Sequence, residues 1–512
     1  MAKWQDTLDS ITPIWEMYEQ GLDFQASQGL SEQIRTNIDF FEGRQWPAQT
    51  ENTKNLPRPV VNIVKMICRS KKAAILSSPL RLIFKSYTQG VDVSKFNSFA
   101  SSLLKELSQD ALDRRAVDDG VKKGSYFYHY YWDRSALSPF GKQDGSIRCE
   151  LIDPLNIYFE CPSELDEQKQ KWIIIATEMT LNDAISLADS GTSTELIYKG
   201  ATENGKITVL TRYFRIGAEV YFEKGTKFQM LCAPKPLAPT TAVCHQGCAK
   251  AHLYPIVCGY YEKKEGSIYG ISEIEGLIPN QKAINFNIAM SLLNAQECAW
   301  GKYIALPNAL KGQKISNVPG QVLIDHSGTG NGIKKMPDQA ISEIPMNISS
   351  SLISITRSIS GASELLSGEA ISTSLSGTAI AQLQAQAQLP IEDLRSEFIE
   401  VKRKQGLVLA QLMKLYFSCK EFISEETSNG KRVEIIDSFS SSDYEGCVFD
   451  AYVEVTNSSR ATVAADISFL NSCLESGKID LKTYIQAYPD CAISNKSELL
   501  SLLEAEQAQS MS

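Results

Sequence analysis

The segment from Ile353 to Phe417 limits most sharply what this chain can fold into. It holds a Ser-rich amphipathic stretch, a Gly/Ser/Thr loop, then an Ala/Gln-rich helical pattern with one proline inside it. Just upstream and into it, Ile348, Leu352, Ile355 and Ile359 step by 4, 3 and 4, which places them on one face of a helix. Gly361, Gly368 and Gly377 lie among serines, so the loop they span is expected to be reshaped by its surroundings. From Ala379 to Leu389 nearly every residue is Ala, Gln or Leu, strong helix formers of little bulk. Pro390 removes one backbone donor, but the pattern resumes through Leu394, Phe398, Val401, Val408, Leu412 and Leu415, so a kink is expected and not a stop. A continuous helix from Gly377 to Phe417 is about 60 Å long at about 1.5 Å per residue. That is too long for one compact domain, and its first half is too small-sided to build a core alone. It suggests contact with neighbouring subunits.

The 512 residues suffice for several domains, and 43 % hydrophobic with 22 % charged residues is an ordinary globular balance. The net charge of −9 argues against a free-standing, non-specific DNA binder. It does not exclude a surface that surrounds DNA without gripping it. The twelve cysteines are scattered and form no short disulfide framework, which points to a reducing compartment. MAKWQDTLDS lacks the apolar core of a signal peptide, and apolar runs such as Trp172 to Ala176 fall far short of a membrane span.

Along the chain, helix is expected over 1–42, then in a basic segment through Arg69, Lys71 and Lys72, and over 96–123. Strand formers dominate from Tyr126 to Phe159 and recur at 172–176, 207–214 and 220–222. Residues 232–256, rich in Pro, Ala and Cys, read as a loop. A helix is expected from Ser272 to Ala299, with Ile284, Ile288, Leu292 and Ala295 on one face, followed by a β-rich insert over 301–345. Strands are expected over 433–456 and helix again over 461–507, where Gly477 is a C-terminal stop.

Gly328-Thr329-Gly330-Asn331-Gly332 resembles a phosphate loop, but Ile333-Lys334-Lys335-Met336-Pro337 suits a strand, whereas a dinucleotide site needs a helix there. A hairpin joining Gln321–Ile324 to Ile333–Met336 is the expectation. Cys232, Cys244, Cys248 and His252 are metal-capable, yet they lack the paired spacing of zinc sites. Four histidines leave little acid–base chemistry, and no HExxH, GxSxG or Walker A pattern is present, so an enzyme is not expected. The aromatics from Tyr126 to Trp132 could stack on bases but fit a half-buried strand better. Lys302, Lys311, Lys314, Lys334 and Lys335 outnumber Asp325, Asp338 and Glu343, making 299–347 a basic island in an acidic chain.

Four cues in fixed order carry a resemblance. They are Phe40-Phe41-Glu42-Gly43-Arg44-Gln45-Trp46 followed by Arg58-Pro59-Val60-Val61-Asn62; Asp153-Pro154-Leu155-Asn156-Ile157-Tyr158; Tyr269-Gly270-Ile271-Ser272 followed by Pro279-Asn280-Gln281-Lys282-Ala283-Ile284-Asn285; and Ser360-Gly361-Ala362 with Ser376-Gly377-Thr378-Ala379-Ile380. In this order the chain resembles the portal proteins, or head-to-tail connectors, of tailed bacteriophages. The resemblance implies an α+β, predominantly helical subunit that assembles into a ring, usually of twelve, around a central channel. It maps 1–271 to a wing, 272–298 to a stem helix, 299–346 to a clip and 347–360 to a second stem helix. Residues 361–377 become a tunnel loop, 378–459 the kinked long helix with wing strands, and 460–512 a helical crown.

The function implied is the conduction of double-stranded DNA at one capsid vertex during packaging and ejection, without catalysis or cofactor. Partners implied are the terminase large subunit, the head–tail adaptor, and major capsid and scaffold proteins, with no membrane. The location implied is the virion, assembled in the bacterial host cytoplasm. Arg357, Ser363, Ser367, Ser372, Thr373, Ser374 and Ser376 become candidates for the channel or tunnel loop. Lys302, Lys311, Lys314, Lys334 and Lys335 become candidates for the motor-facing clip, and Pro390 for the helix kink. The Cys244 to His252 segment has no counterpart in the portal pattern. The alternative reading is a metal-dependent enzyme or metal-stabilised virion protein built on Cys232, Cys244, Cys248 and His252.

Overall fold

The computed structural model describes residues 12–488, apart from 55, 78, 89, 138–140, 142–143, 190–191, 203, 239–250, 300–302, 308, 317–321, 329–330, 337–342, 362–376, 418, 429–430 and 456–459. The chain mixes helix and sheet, as the α+β expectation requires. It divides into two compact units. One comprises Met1–Arg35, Lys71–Glu273 and Ala370–Ser512, and the other Thr36–Ser70 and Ile274–Glu369. Residues 36–70 thus fall in the unit that holds the helix Ile344–Ile359 and nearly all of the helix Glu273–Ala299. Among the described residues no helix is long and apolar enough to cross a membrane.

In the larger unit a five-stranded antiparallel meander runs through Ile157–Phe159, Trp172–Thr180, Lys206–Ile216, Glu219–Gly225 and Met230–Pro236. The run Ile173-Ile174-Ile175-Ala176 is apolar at every position because both faces of the sheet are covered. Ile174, Ala176 and Leu210 pack with Ile14 of the helix Thr12–Ser27, while Val209 and Ile207, on the opposite face, pack with Ala184 and Ile197. Arg212 and Glu223, opposite each other in neighbouring strands, form a buried ion pair at 2.5 Å.

The expected loop over 232–256 is corrected here: its first residues belong to the strand Met230–Pro236. That strand lies at the sheet edge, where Pro234 and Pro236 need donate no ladder bond. The expected single helix over 96–123 is also corrected. It is two helices, Val93–Glu106 and Gln109–Lys123, separated where Ser108 adopts φ 51°, a left-handed conformation that no helix continues.

The aromatic run Tyr126 to Trp132 forms the central strand Ser125–Asp133 of a three-stranded sheet, flanked by Ser146–Ile152 and Ile256–Tyr260. Tyr126, Phe127, Tyr128 and Tyr130 are all buried, so these rings are core on both faces and offer nothing to bases.

The long helix spans Gly377–Tyr416 without interruption at position 390. Phe398, Val401, Val408 and Leu412 are buried, as their spacing predicts, together with Ile391. Four basic or acidic residues then tie the helix to separate elements. Lys402 pairs with buried Asp113, Lys404 with Glu167 at 2.9 Å, Arg403 with Asp450 at 3.3 Å, and Glu397 with Lys263 at 2.6 Å. Gly406, which costs helix stability relative to Ala, has a packing reason. A Cβ there would meet Ala451 Cβ at 2.7 Å, so the glycine admits the ribbon formed by Leu80–Ser86 and Phe449–Val455.

Beside that ribbon an aromatic cluster closes the unit. Phe96 stacks on Phe449 and Phe99 on Phe439, each at 4.1 Å between ring centroids, with Phe417 and Phe422 edge-on to Phe99. Further on, helices Arg460–Glu475 and Leu481–Ala487 occupy the described part of the expected crown, and Gly477 ends the first of them at φ 67°.

Candidate assembly interface

The smaller unit is organised by a polar knot made of the very residues in two of the motif cues. Gln281, on the helix Glu273–Ala299, accepts hydrogen bonds from the Ile63 N–H at 3.0 Å and the Val64 N–H at 3.3 Å. Those two donors begin the helix Ile63–Ile75 and have no partner within it. The Gln281 Nε2 donates to Val61 O at 2.7 Å and to Asn285 Oδ1 at 3.0 Å. Asn285 Nδ2 donates to Gln45 Oε1 at 2.6 Å, and Gln45 Nε2 donates to Phe40 O at 2.8 Å.

Asn62 serves both helix ends. Its Nδ2 donates to Phe40 O and Phe41 O at the close of the helix Leu30–Glu42, and its Oδ1 accepts from the Lys65 N–H at 2.9 Å. Trp46 Nε1 donates to Pro59 O at 2.9 Å and Arg58 Nη1 to Pro47 O at 2.8 Å, pinning the connecting loop. The motif residues therefore position helices.

The helix Ile344–Ile359 shows why that positioning matters. Its inward side holds Ser349 and Thr356, 1 % and 2 % exposed, with Leu352 and Ile353 half-buried. Thr356 Oγ1 accepts from Asn280 Nδ2 at 3.1 Å and donates to Leu352 O at 2.6 Å. Its outward side mixes serines with large apolar residues: Ser350, Ser351, Ser354 and Ser358 are exposed, and so are Ile355 at 51 %, Ile359 at 74 %, Ile344, Met346 and Ile348. The stripe predicted from spacing exists, but it is turned away from its own chain. The helix Glu273–Ala299 buries Ile274, Leu277 and Ile284 together with Gln281 and Asn285, yet leaves Phe286, Met290 and Leu292 exposed. Large apolar side chains left exposed on both helices are the kind of surface that a partner covers.

The β-rich insert also presents apolar side chains, among them Tyr303, Ile304, Val322 and Ile324. The expected hairpin is corrected: Ile333–Lys335 pairs with Tyr303–Ala305, not with 321–324. Residues near 324 are taken instead by Gln313, whose side chain bonds both the N–H and the C=O of Ile324. The glycine-rich loop is closed by Asp325, which accepts from the Ser327 N–H and the Gly332 N–H, each at 2.8 Å. Hydrogen bonds from Ser327, then Gly332, hold the Asp325 carboxyl below its ordinary range. A strand and not a helix follows the loop, as the phosphate-loop test anticipated.

Of the candidate lysines, Lys311, Lys314 and Lys334 are exposed. Lys311 and Gly312 have φ 36° and 86° in a turn closed by the Gln313 N–H on Leu310 O. Lys335 lies in the short strand, and Lys302 lies outside the described residues. Arg357 is half-buried, with Nη2 3.4 Å from Met66 Sδ. Ser363, Ser367, Ser372, Thr373, Ser374 and Ser376 lie outside the described residues, as do Cys244 and Cys248. Cys232 is buried, and His252 uses Nδ1 on Ala218 O at 2.8 Å. Among the described residues no three His, Cys, Asp or Glu side chains converge as metal ligands.

No model of a known protein family matches this chain, and no curated protein matches it.

Proposed function

We propose that this chain is a portal-type subunit: copies close into a ring, with about a dozen members by resemblance, whose channel conducts double-stranded DNA. The ring sits at a capsid vertex and docks the terminase large subunit and a head–tail adaptor. Work is done by the motor ATPase, and this chain supplies passage and docking.

The observation that carries the reading is the exposure of five large apolar side chains on the helix Ile344–Ile359, namely Ile344, Met346, Ile348, Ile355 and Ile359, in a unit that also exposes Phe286, Met290 and Leu292. Fully burying an exposed Ile or Phe contributes about 1.5–3 kcal/mol, so neighbours that cover such a stripe are favoured. In a ring the covering surface belongs to the next copy, and the contact is heterologous. Two of the four ordered portal cues meet in the polar knot that positions these helices, which supports the same reading. The chain's net negative charge suits DNA that slides, since each neutralised phosphate adds salt-dependent grip.

The double variant Ile355→Asp/Ile359→Asp tests it. Both side chains are exposed in the single chain, so its fold should be retained. Sedimentation should find the wild type in a large assembly and the variant mainly monomeric, with unchanged circular dichroism. An assembly of unaltered size in the variant contradicts this interface.

A further inference from the structure

A second feature lies in the larger unit and owes nothing to the ring. A cavity of about 510 Å³ opens beside the central aromatic strand. That volume lies within the range of small-molecule sites. One wall is aromatic: the Trp132 indole and the Tyr416 ring both line the cavity and are stacked on each other, 4.9 Å between centroids and 8° between planes. Tyr416 is held from behind by its hydroxyl, which donates to Leu237 O. Another wall is a fixed polar relay. The His129 ring bonds Glu150 Oε1 through Nδ1 and the Tyr213 hydroxyl through Nε2, both at 2.8 Å. These pairs satisfy His129 and Glu150, so neither is spare.

The cations lining the cavity are Arg134, Lys224 and Lys235. Lys235 is paired with Asp189 at 2.7 Å. Lys224 is half-buried, and among the described residues its ammonium makes no ion pair or hydrogen bond. Cys232 and Glu150 act on it electrostatically without a direct bond. Burial pushes the Lys224 ammonium down from its ordinary value, the direction expected of a charge short of a partner.

We propose that this cavity is a binding site for a small planar aromatic anion, its ring lying against the aromatic wall and its carboxylate or similar group on Lys224. Stacking supplies affinity that tolerates variation in the ring, and the ammonium selects for charge. The proposal rests on no property of the ring assembly, so either can fail without the other.

The probes are naphthoate and its neutral counterpart naphthalenemethanol, titrated calorimetrically into the full chain and into Lys224→Gln and Lys224→Arg. Wild-type protein should bind naphthoate at submillimolar concentration. Lys224→Gln should weaken naphthoate by about tenfold or more while leaving the neutral probe unchanged. Lys224→Arg, which keeps the charge, should bind naphthoate nearly as well as wild type and guards against misfolding of the Gln variant. Absence of naphthoate binding by the wild type overturns the site. Equal loss of both probes in Lys224→Gln, or no loss of either, overturns the role of the ammonium.

Discussion

Gln281 illustrates how much one polar side chain can hold. It meets three backbone groups of the segment 61–64 and one side chain of its own helix, all out of water. Replacing Gln281 with Leu removes four hydrogen bonds and leaves the Val64 N–H without that acceptor, while the Ile63 N–H keeps Val61 O and Asn285 Oδ1 keeps the Val61 N–H. It should destabilise the smaller unit by about 2–4 kcal/mol in denaturant unfolding, and a loss below about 0.5 kcal/mol would show the knot to be dispensable. Asp118 makes a different prediction, in pH. Burial alone would raise its carboxyl, but hydrogen bonds from Lys122 at 2.5 Å and Lys72 at 2.9 Å outweigh this and lower it below 3.8. A lowered folded-state value means stability present above pH 3.8 and lost as pH falls through the folded value. Asp118→Asn should therefore cost about 0.5–1 kcal/mol at neutral pH, discounted for exposure, and the gap to wild type should close in acid. A gap independent of pH counts against the pairing. The motif residues were legible as a pattern, but their meeting was not: Gln45 and Asn285 are 240 positions apart, and no local rule pairs them.

Among elements, the helices show the reach and the boundary of periodicity. Spacing identified the stripe Ile348, Leu352, Ile355 and Ile359, because 3.6 residues per turn decide which side chains share a face. It could not say that the stripe faces outward, because the same pattern serves a private core and a shared interface. Ser108 split an expected helix through one left-handed residue, and strand Tyr303–Ala305 paired with Ile333–Lys335, some thirty positions on. Both are contextual choices with weak sequence signals. The Gly377–Tyr416 helix met its expectation of continuity through Pro390. Pro390→Ala restores a backbone donor and should straighten the helix. Under the portal reading, ring yield should persist while DNA packaged per particle falls. Normal packaging by that variant would remove the kink from the mechanism.

For the whole molecule the account stands on one claim, that the outward apolar face of the smaller unit is covered by further copies of the chain. Composition allowed this without requiring it, since 43 % hydrophobic residues suit a monomer equally well. The exposure of Ile355 and Ile359, together with Ile344, Met346 and Ile348 on the same helix, is what gives the claim its direction. The most direct measurement is the particle mass of the purified wild-type chain, with negative-stain images of the same sample. The account predicts closed rings of about a dozen subunits with a central hole. A homogeneous monomer whose Ile355 and Ile359 remain accessible to solvent, even with scaffold protein added, would contradict it.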